Sequence, residues 1–172
     1  MLAEKRIKEA ESNIRSYLAE GLLNKERFNP TIFEILFRNS ESLKVANMLY
    51  AQNHSDLWTI VISYYSMYYM ANAVLYKMGY KVGDKISHKI TADALIVFVR
   101  GKLKESLLED YNEMQQEALS DIKADTIVKS FDYERSKRGS IQYGTNEEAK
   151  HSKAKTSIER AKQFSAEMEK LL

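Results

Sequence analysis

The chain has 172 residues, 44% of them hydrophobic and 29% charged, with a formal net charge of +2. That is enough for one domain with a sizeable core, too apolar for wholesale disorder, and too weakly charged for a globally basic nucleic-acid binder. The absence of cysteine excludes disulfides, zinc–thiolate sites and a cysteine nucleophile, and fits a reducing, cytoplasmic setting.

No uninterrupted apolar run approaches the roughly 18 residues of a membrane helix, so no membrane span is expected. No signal peptide is expected either, because the first ten residues already hold Glu4, Lys5, Arg6, Lys8 and Glu9. One proline and six glycines, in a chain with long periodic runs, predict an all-α fold. Ile7, Ala10, Ile14, Tyr17, Leu18 and Leu22 repeat at helical spacing with charges between them, so residues 2–22 read as an amphipathic helix. Asn24 to Asn29 form a polar connector. Pro30 then stands at a helix start, where its missing amide costs nothing, and Thr31 with Glu34 offers a capping box. That helix is expected to run to about Ala51 on a stripe of Ile32, Ile35, Leu36, Leu43, Ala46 and Leu49.

Asn53 to Asp56 read as a turn, with Ser55 as the N-cap of the next helix. Residues 57–78 are apolar nearly all round: Leu57, Ile60, Val61, Tyr64, Tyr68, Ala71 and Leu75 on one face, Trp58, Ile62, Tyr65 and Tyr69 on another. Such a helix is covered on several sides and belongs at the centre of a bundle. Gly79 ends it, residues 80–86 form a loop, and a shorter helix spans 87–100 with Ile90, Ala94 and Leu95 inward before Gly101. Leu103, Leu107, Leu108, Tyr111 and Met114 mark another helical stretch. Ala118, Leu119, Ile122, Val128 and Phe131 continue into a helix carrying Arg135 and Arg138, whether as one bent helix or two. The chain then breaks at residues 139–144. Thr145 and Glu148 form a second capping box, and Ala154, Ile158, Ala161, Met168 and Leu171 face inward on the last helix.

Arg135 and Arg138 share a helix face with Phe131. An arginine on the core-facing side of a helix that ends at a glycine-flanked loop is either buried against a partner or held ready for an anion. From residue 135 to 155, six cationic residues face two carboxylates, a surplus twice that of the whole chain. This reads as a solvated helix surface or as a shallow anion site beside Arg138. There is no P-loop, no dinucleotide-binding glycine fingerprint and no HExxH, and His54, His88 and His151 lie at no metal-ligand spacing. No metal or cofactor is expected. The run Tyr64-Tyr65-Ser66-Met67-Tyr68-Tyr69 invites base stacking, but tyrosines at helical spacing on a central helix are expected in the core with their hydroxyls tied to neighbours.

Three segments, in order, resemble the HEPN domain family (higher eukaryotes and prokaryotes nucleotide-binding). Residues 62–75 resemble its central helix. Gly79-Tyr80 followed by Ser87-His88-Lys89 resembles its loop into the third helix. Arg138 to Tyr143, then residues 145–149, resemble its arginine turn into an acidic last helix. The likeness covers about Thr31 to Leu172. It implies an up-and-down helical bundle of about five core helices over 30–172, with residues 1–25 as an added N-terminal helix. It also implies a homodimer, association with RNA or a nucleotide, and in some members a separate nucleotidyltransferase-like partner.

Catalytic members of the family resemble one another in an arginine followed four to six residues later by histidine, which two protomers assemble into a metal-independent ribonuclease site. Here Arg138 matches the arginine, but Tyr143 stands where histidine would. Free tyrosine titrates near pH ~10, so it is a poor general base at neutral pH. The candidate catalytic residues are therefore Arg138 and Tyr143, and the candidate anion-binding residues are Arg135, Arg138, Tyr143, Lys150 and His151. Three readings stand open: a non-catalytic module binding nucleotide or RNA; a toxin-type endoribonuclease with Tyr143 or His151 handling protons; and a scaffold in which Arg138 is buried against a carboxylate.

Overall fold

The apolar run beginning near residue 57 organises the molecule. In the structure, a computed structural model, residues 3–122 and 144–172 are described, with backbone alone for 121–122 and 144–149. The elements in chain order are α1 (Glu4–Ala19), β1 (Leu23–Lys25), α2 (Pro30–Ser40), α3 (Leu43–Ala51), α4 (Asp56–Lys77), β2 (Tyr80–Val82), α5 (Ser87–Ala94), α6 (Glu105–Ile122) and α7 (Gly144–Glu169). This is an all-α bundle with one small antiparallel ribbon.

α4 is the hub, packed against α2, α3, α5, α6, α7 and β2. Ser55 caps it as its sequence predicts: the hydroxyl accepts the Trp58 amide at 3.3 Å. Gly79, at φ +91°, supplies the left-handed residue that ends it. Tyr64, Met67, Met70, Val74 and Leu75 are sealed in the core, where they meet Ile90, Leu95, Leu107, Tyr111, Met114, Phe164 and Met168. Ile14 and Tyr17 of α1 belong to the same cluster.

The helix directions follow from side-chain pairs. Arg160 of α7 binds Asp110 and Glu113 of α6, while Lys153 binds Glu117, so α6 and α7 are antiparallel. His151 meets Asp56 at one end of the bundle, and Ser165 and Met70 line one hollow further along, so α4 and α7 run the same way. α3 opposes both: Tyr50 touches His151, and Asn47 sits with Ser165.

Several expectations are corrected. The helix from Pro30 does not reach Ala51 unbroken; it turns at Glu41 and Ser42 into α3. There the Glu41 amide bonds Arg38 O and the Ser42 amide bonds Asn39 O, three residues back rather than four. Ser40 Oγ also donates to Phe37 O. Short polar side chains that compete for backbone groups weaken a helix, and Asn39, Ser40, Glu41 and Ser42 are consecutive.

The first capping box is also absent. Asn29 Oδ1 accepts the Thr31 amide at 2.9 Å, and Glu34 instead pairs with Arg38 one turn on. At the last helix, Gly144 is already helical, so Thr145 stands inside α7 rather than before it. The connector after α1 and the loop after α4 each donate three residues to a ribbon, in register Leu23↔Val82, Asn24↔Lys81 and Lys25↔Tyr80. Gly83 lies against it, where a Cβ would come 2.9 Å from Leu22 O. The helix from Ser87 is regular only to Ala94, then widens into a π turn over Leu95–Val99 and a short 3-10 turn over Arg100–Lys102. Among the described residues, no helix is long and apolar enough to cross a membrane.

Candidate functional site

The end of α3, the start of α4 and the early turns of α7 meet at one end of the bundle. Between them lies an open cleft of about 1130 Å³ lined by Tyr50, His54, Asp56, Lys150, His151 and Lys155 among others. Each wall has a local cause. The turn from α3 to α4 passes through Asn53 at φ +52°, a conformation asparagine tolerates better than most residues, and the His54 amide closes it on Leu49 O. Asp56 follows as the first residue of α4, where the positive end of the helix dipole favours a carboxylate. Parallel packing of α7 along α4 then delivers His151.

His151 is held on two sides. Its Nδ1 lies 2.9 Å from Asp56 Oδ1, and its ring stacks on Tyr50 with centroids 4.5 Å apart and planes 16° apart. A carboxylate only accepts, so the proton of this bond sits on Nδ1, which leaves the Nε2 lone pair when the ring is neutral. Asp56 and Tyr50 thus fix the tautomer and the orientation of an imidazole that is still 43% exposed. Lys150 and Lys155 line the same cleft. Lys153 turns away to Glu117, 3.3 Å from its carboxylate on α6. The arrangement can hold an anion, and it can accept or give a proton at Nε2.

Of the five sequence-predicted site residues, Lys150 and His151 come together here. Arg135, Arg138 and Tyr143 lie outside the described residues, as do Val128 and Phe131. Sequence reading missed Tyr50, His54, Asp56 and Lys155 as parts of a site. Lys155 carried a signal, since it belongs to the same basic run. Asp56 lies 95 residues from His151, and no local pattern links them.

The tyrosine run divides. Tyr64 is fully buried and its hydroxyl lies 2.7 Å from His88 Nδ1; burial pushes that phenol well above its ordinary pKa and pulls the imidazole down. Tyr65 and Tyr69 instead line an apolar groove with Trp58, Val61 and Ile62. Among the described residues, no cluster of metal-ligating side chains forms.

The fold and the cleft together define a helical-bundle protein with a carboxylate-oriented histidine in a basic recess. No protein-family model matches the chain, and no curated protein or solved structure does.

Proposed function

We propose that this chain is a HEPN-like module that associates with RNA or a nucleotide and holds phosphate in the cleft between α3, α4 and α7. The observation that carries this reading is the convergence of Lys150, Lys155 and an oriented His151 on one open recess. Arg135, Arg138 and Tyr143 precede Lys150 closely in the sequence and supply further anion contacts in this reading. The module acts as a homodimer in the cytoplasm, alone or with a nucleotidyltransferase-like partner protein.

Binding of a fluorescent single-stranded RNA, titrated against salt, tests it. Each lysine that neutralises a phosphate lowers the slope of log affinity against log salt by roughly 0.7 when it is removed. Lys150→Ala and Lys155→Ala are each expected to weaken binding and flatten that slope. An unchanged slope in both variants rejects the cleft as the contact. Light scattering that gives a monomer rejects the homodimer.

A second reading, a metal-independent endoribonuclease, is favoured by the Asp56–His151 pair. A histidine whose Nδ1 is tied to a carboxylate presents Nε2 for proton transfer. RNA cleavage in chelator, lost in both Arg138→Ala and His151→Ala, would establish it. Equal cleavage by wild type and both variants would reject it.

A further inference from the structure

The charges around His151 allow the ligand class to be narrowed, on the premise that the cleft binds RNA or a nucleotide at all. Tyr50 of α3 covers one face of the ring, and Asp56 of α4 holds its Nδ1. Among the described residues, His54 in the intervening turn and Lys150 and Lys155 of α7 are the other ionisable groups lining the recess. On the α6 side, Glu117 is already paired with Lys153. Among these described groups, with His151 neutral, two lysines against one carboxylate leave a surplus of one positive charge. With His151 protonated the surplus is two.

We propose that the cleft is a terminal-phosphate site: it binds a phosphomonoester dianion, and His151 takes up a proton as the ligand enters. An internal phosphodiester carries one negative charge and is matched without the histidine. A phosphomonoester carries nearly two at neutral pH and is matched only by the protonated form. Asp56 orients the ring by holding Nδ1, and the partly exposed imidazole then donates from Nε2 to the phosphate. Tyr50 holds the ring plane by stacking on it. The shared chemistry is a monoester, whether at the end of an RNA or on a free mononucleotide.

The test compares four probes on the full chain: AMP, adenosine, and one RNA decamer bearing either a 5′-phosphate or a 5′-hydroxyl. Each is measured from pH 6 to pH 8.5 with wild type, His151→Gln and Asp56→Asn. The phosphate's own second ionisation, near pH ~6, acts on all proteins alike, so the ratio of wild type to His151→Gln isolates the histidine. An anion that raises a neighbouring histidine's pKa by about one unit must itself bind about tenfold tighter to the protonated form. The advantage of the phosphorylated probe over its hydroxyl counterpart, taken relative to His151→Gln, is therefore expected to be about tenfold greater at the acid end than at the alkaline end, where the two lysines alone hold the phosphate. Asp56→Asn loosens the orientation of the ring and is expected to reduce that advantage.

Preference for AMP over adenosine assigns a free nucleotide, and preference confined to the decamers assigns an RNA end; either supports the site. Equal binding of phosphorylated and hydroxyl probes overturns the terminal-phosphate site while leaving RNA association intact. A pH dependence of the phosphate advantage that is the same in wild type and His151→Gln overturns the role of His151. Absence of binding by every probe removes the proposed function together with this site. Matching far-UV spectra and melting curves confirm that each variant is folded.

Discussion

Tyr17 reaches from α1 to the carboxylate of Asp93 on α5, its hydroxyl 3.0 Å from Oδ2. Asp93 is fully buried, and it also receives Asn13 Nδ2 at 2.9 Å and the guanidinium of Arg6. Arg6, Asn13 and Tyr17 lie on one face of α1, so a single carboxylate gathers three donors from the N-terminal helix. A buried carboxylate is costly to remove, because the donors aimed at it, above all the buried Tyr17 hydroxyl, lose their acceptor.

Asp93→Ala is therefore expected to lower stability by about 3 kcal/mol, read as a shift of the urea midpoint. Tyr17→Phe removes one donor and is expected to cost about 1 kcal/mol. A loss below about 1 kcal/mol in Asp93→Ala would show that α1 is held by its apolar face alone.

The same contact has an alkaline signature. Burial, and then the charge of Asp93, push the Tyr17 phenol up to about 12, against about 10 for tyrosine in an unfolded chain. Between those values the unfolded chain has lost a proton that the folded protein keeps. The stability from this group is complete below pH ~10 and is lost as pH rises through the folded value. Urea midpoints taken from pH 9 to pH 12 are expected to fall, and to fall less steeply in Tyr17→Phe. Tyr64 and Tyr111, also raised by burial, keep part of the slope. Parallel curves for the two proteins would contradict the contact.

On the acid side, one sensitive group among the described residues is His88. Burial lowers its pKa in the folded state, so the unfolded chain takes up a proton first as the solution is acidified. Its contribution is present above the ordinary histidine pKa and is lost as pH falls through the lowered one. His88→Asn keeps an acceptor near the Tyr64 hydroxyl and removes the titration. The urea midpoint of wild type is expected to drop more between pH 7 and pH 5 than that of His88→Asn. An identical drop would assign acid sensitivity to other groups.

What the sequence made legible follows from how local each cause is. α1, α4 and the inward face of α7 rest on long periodic patterns, and the end of α4 rests on a single glycine at φ +91°. These could be read without the structure. The break between α2 and α3 could not, because the apolar stripe continues across it while the backbone is redirected by Ser40 and its polar neighbours. The ribbon was hidden because each strand has three residues, and its pairing joins segments on either side of α2, α3 and α4. At the cleft, the basic run exposed Lys150 and His151. Asp56 looked like an ordinary helix start, and only the parallel course of α4 and α7 turns it into the histidine's partner. Asp93 was overlooked for the same reason: its partners lie 76 to 87 residues earlier, on α1.

Arg138 lies outside the described residues, so whether it serves the same phosphate as His151 is a question of energetic coupling. Groups that share one ligand atom or one network give non-additive losses, whereas distant, independent groups add within about 0.5 kcal/mol. The cycle uses wild type, Arg138→Ala, His151→Ala and the double variant, with RNA affinity measured by fluorescence anisotropy at fixed salt. A shared phosphate predicts a coupling of about 1 kcal/mol or more, because the second substitution removes a contact that the first has already loosened. Additive losses would mean that Arg138 and the cleft hold separate phosphates along one strand. In that case Arg138→Ala should still weaken binding, and should do so equally for phosphorylated and hydroxyl ends, since only the group beside His151 reads the terminal charge. A wild-type affinity in Arg138→Ala would remove the arginine from the site and leave the α3–α4–α7 cleft as the whole of it.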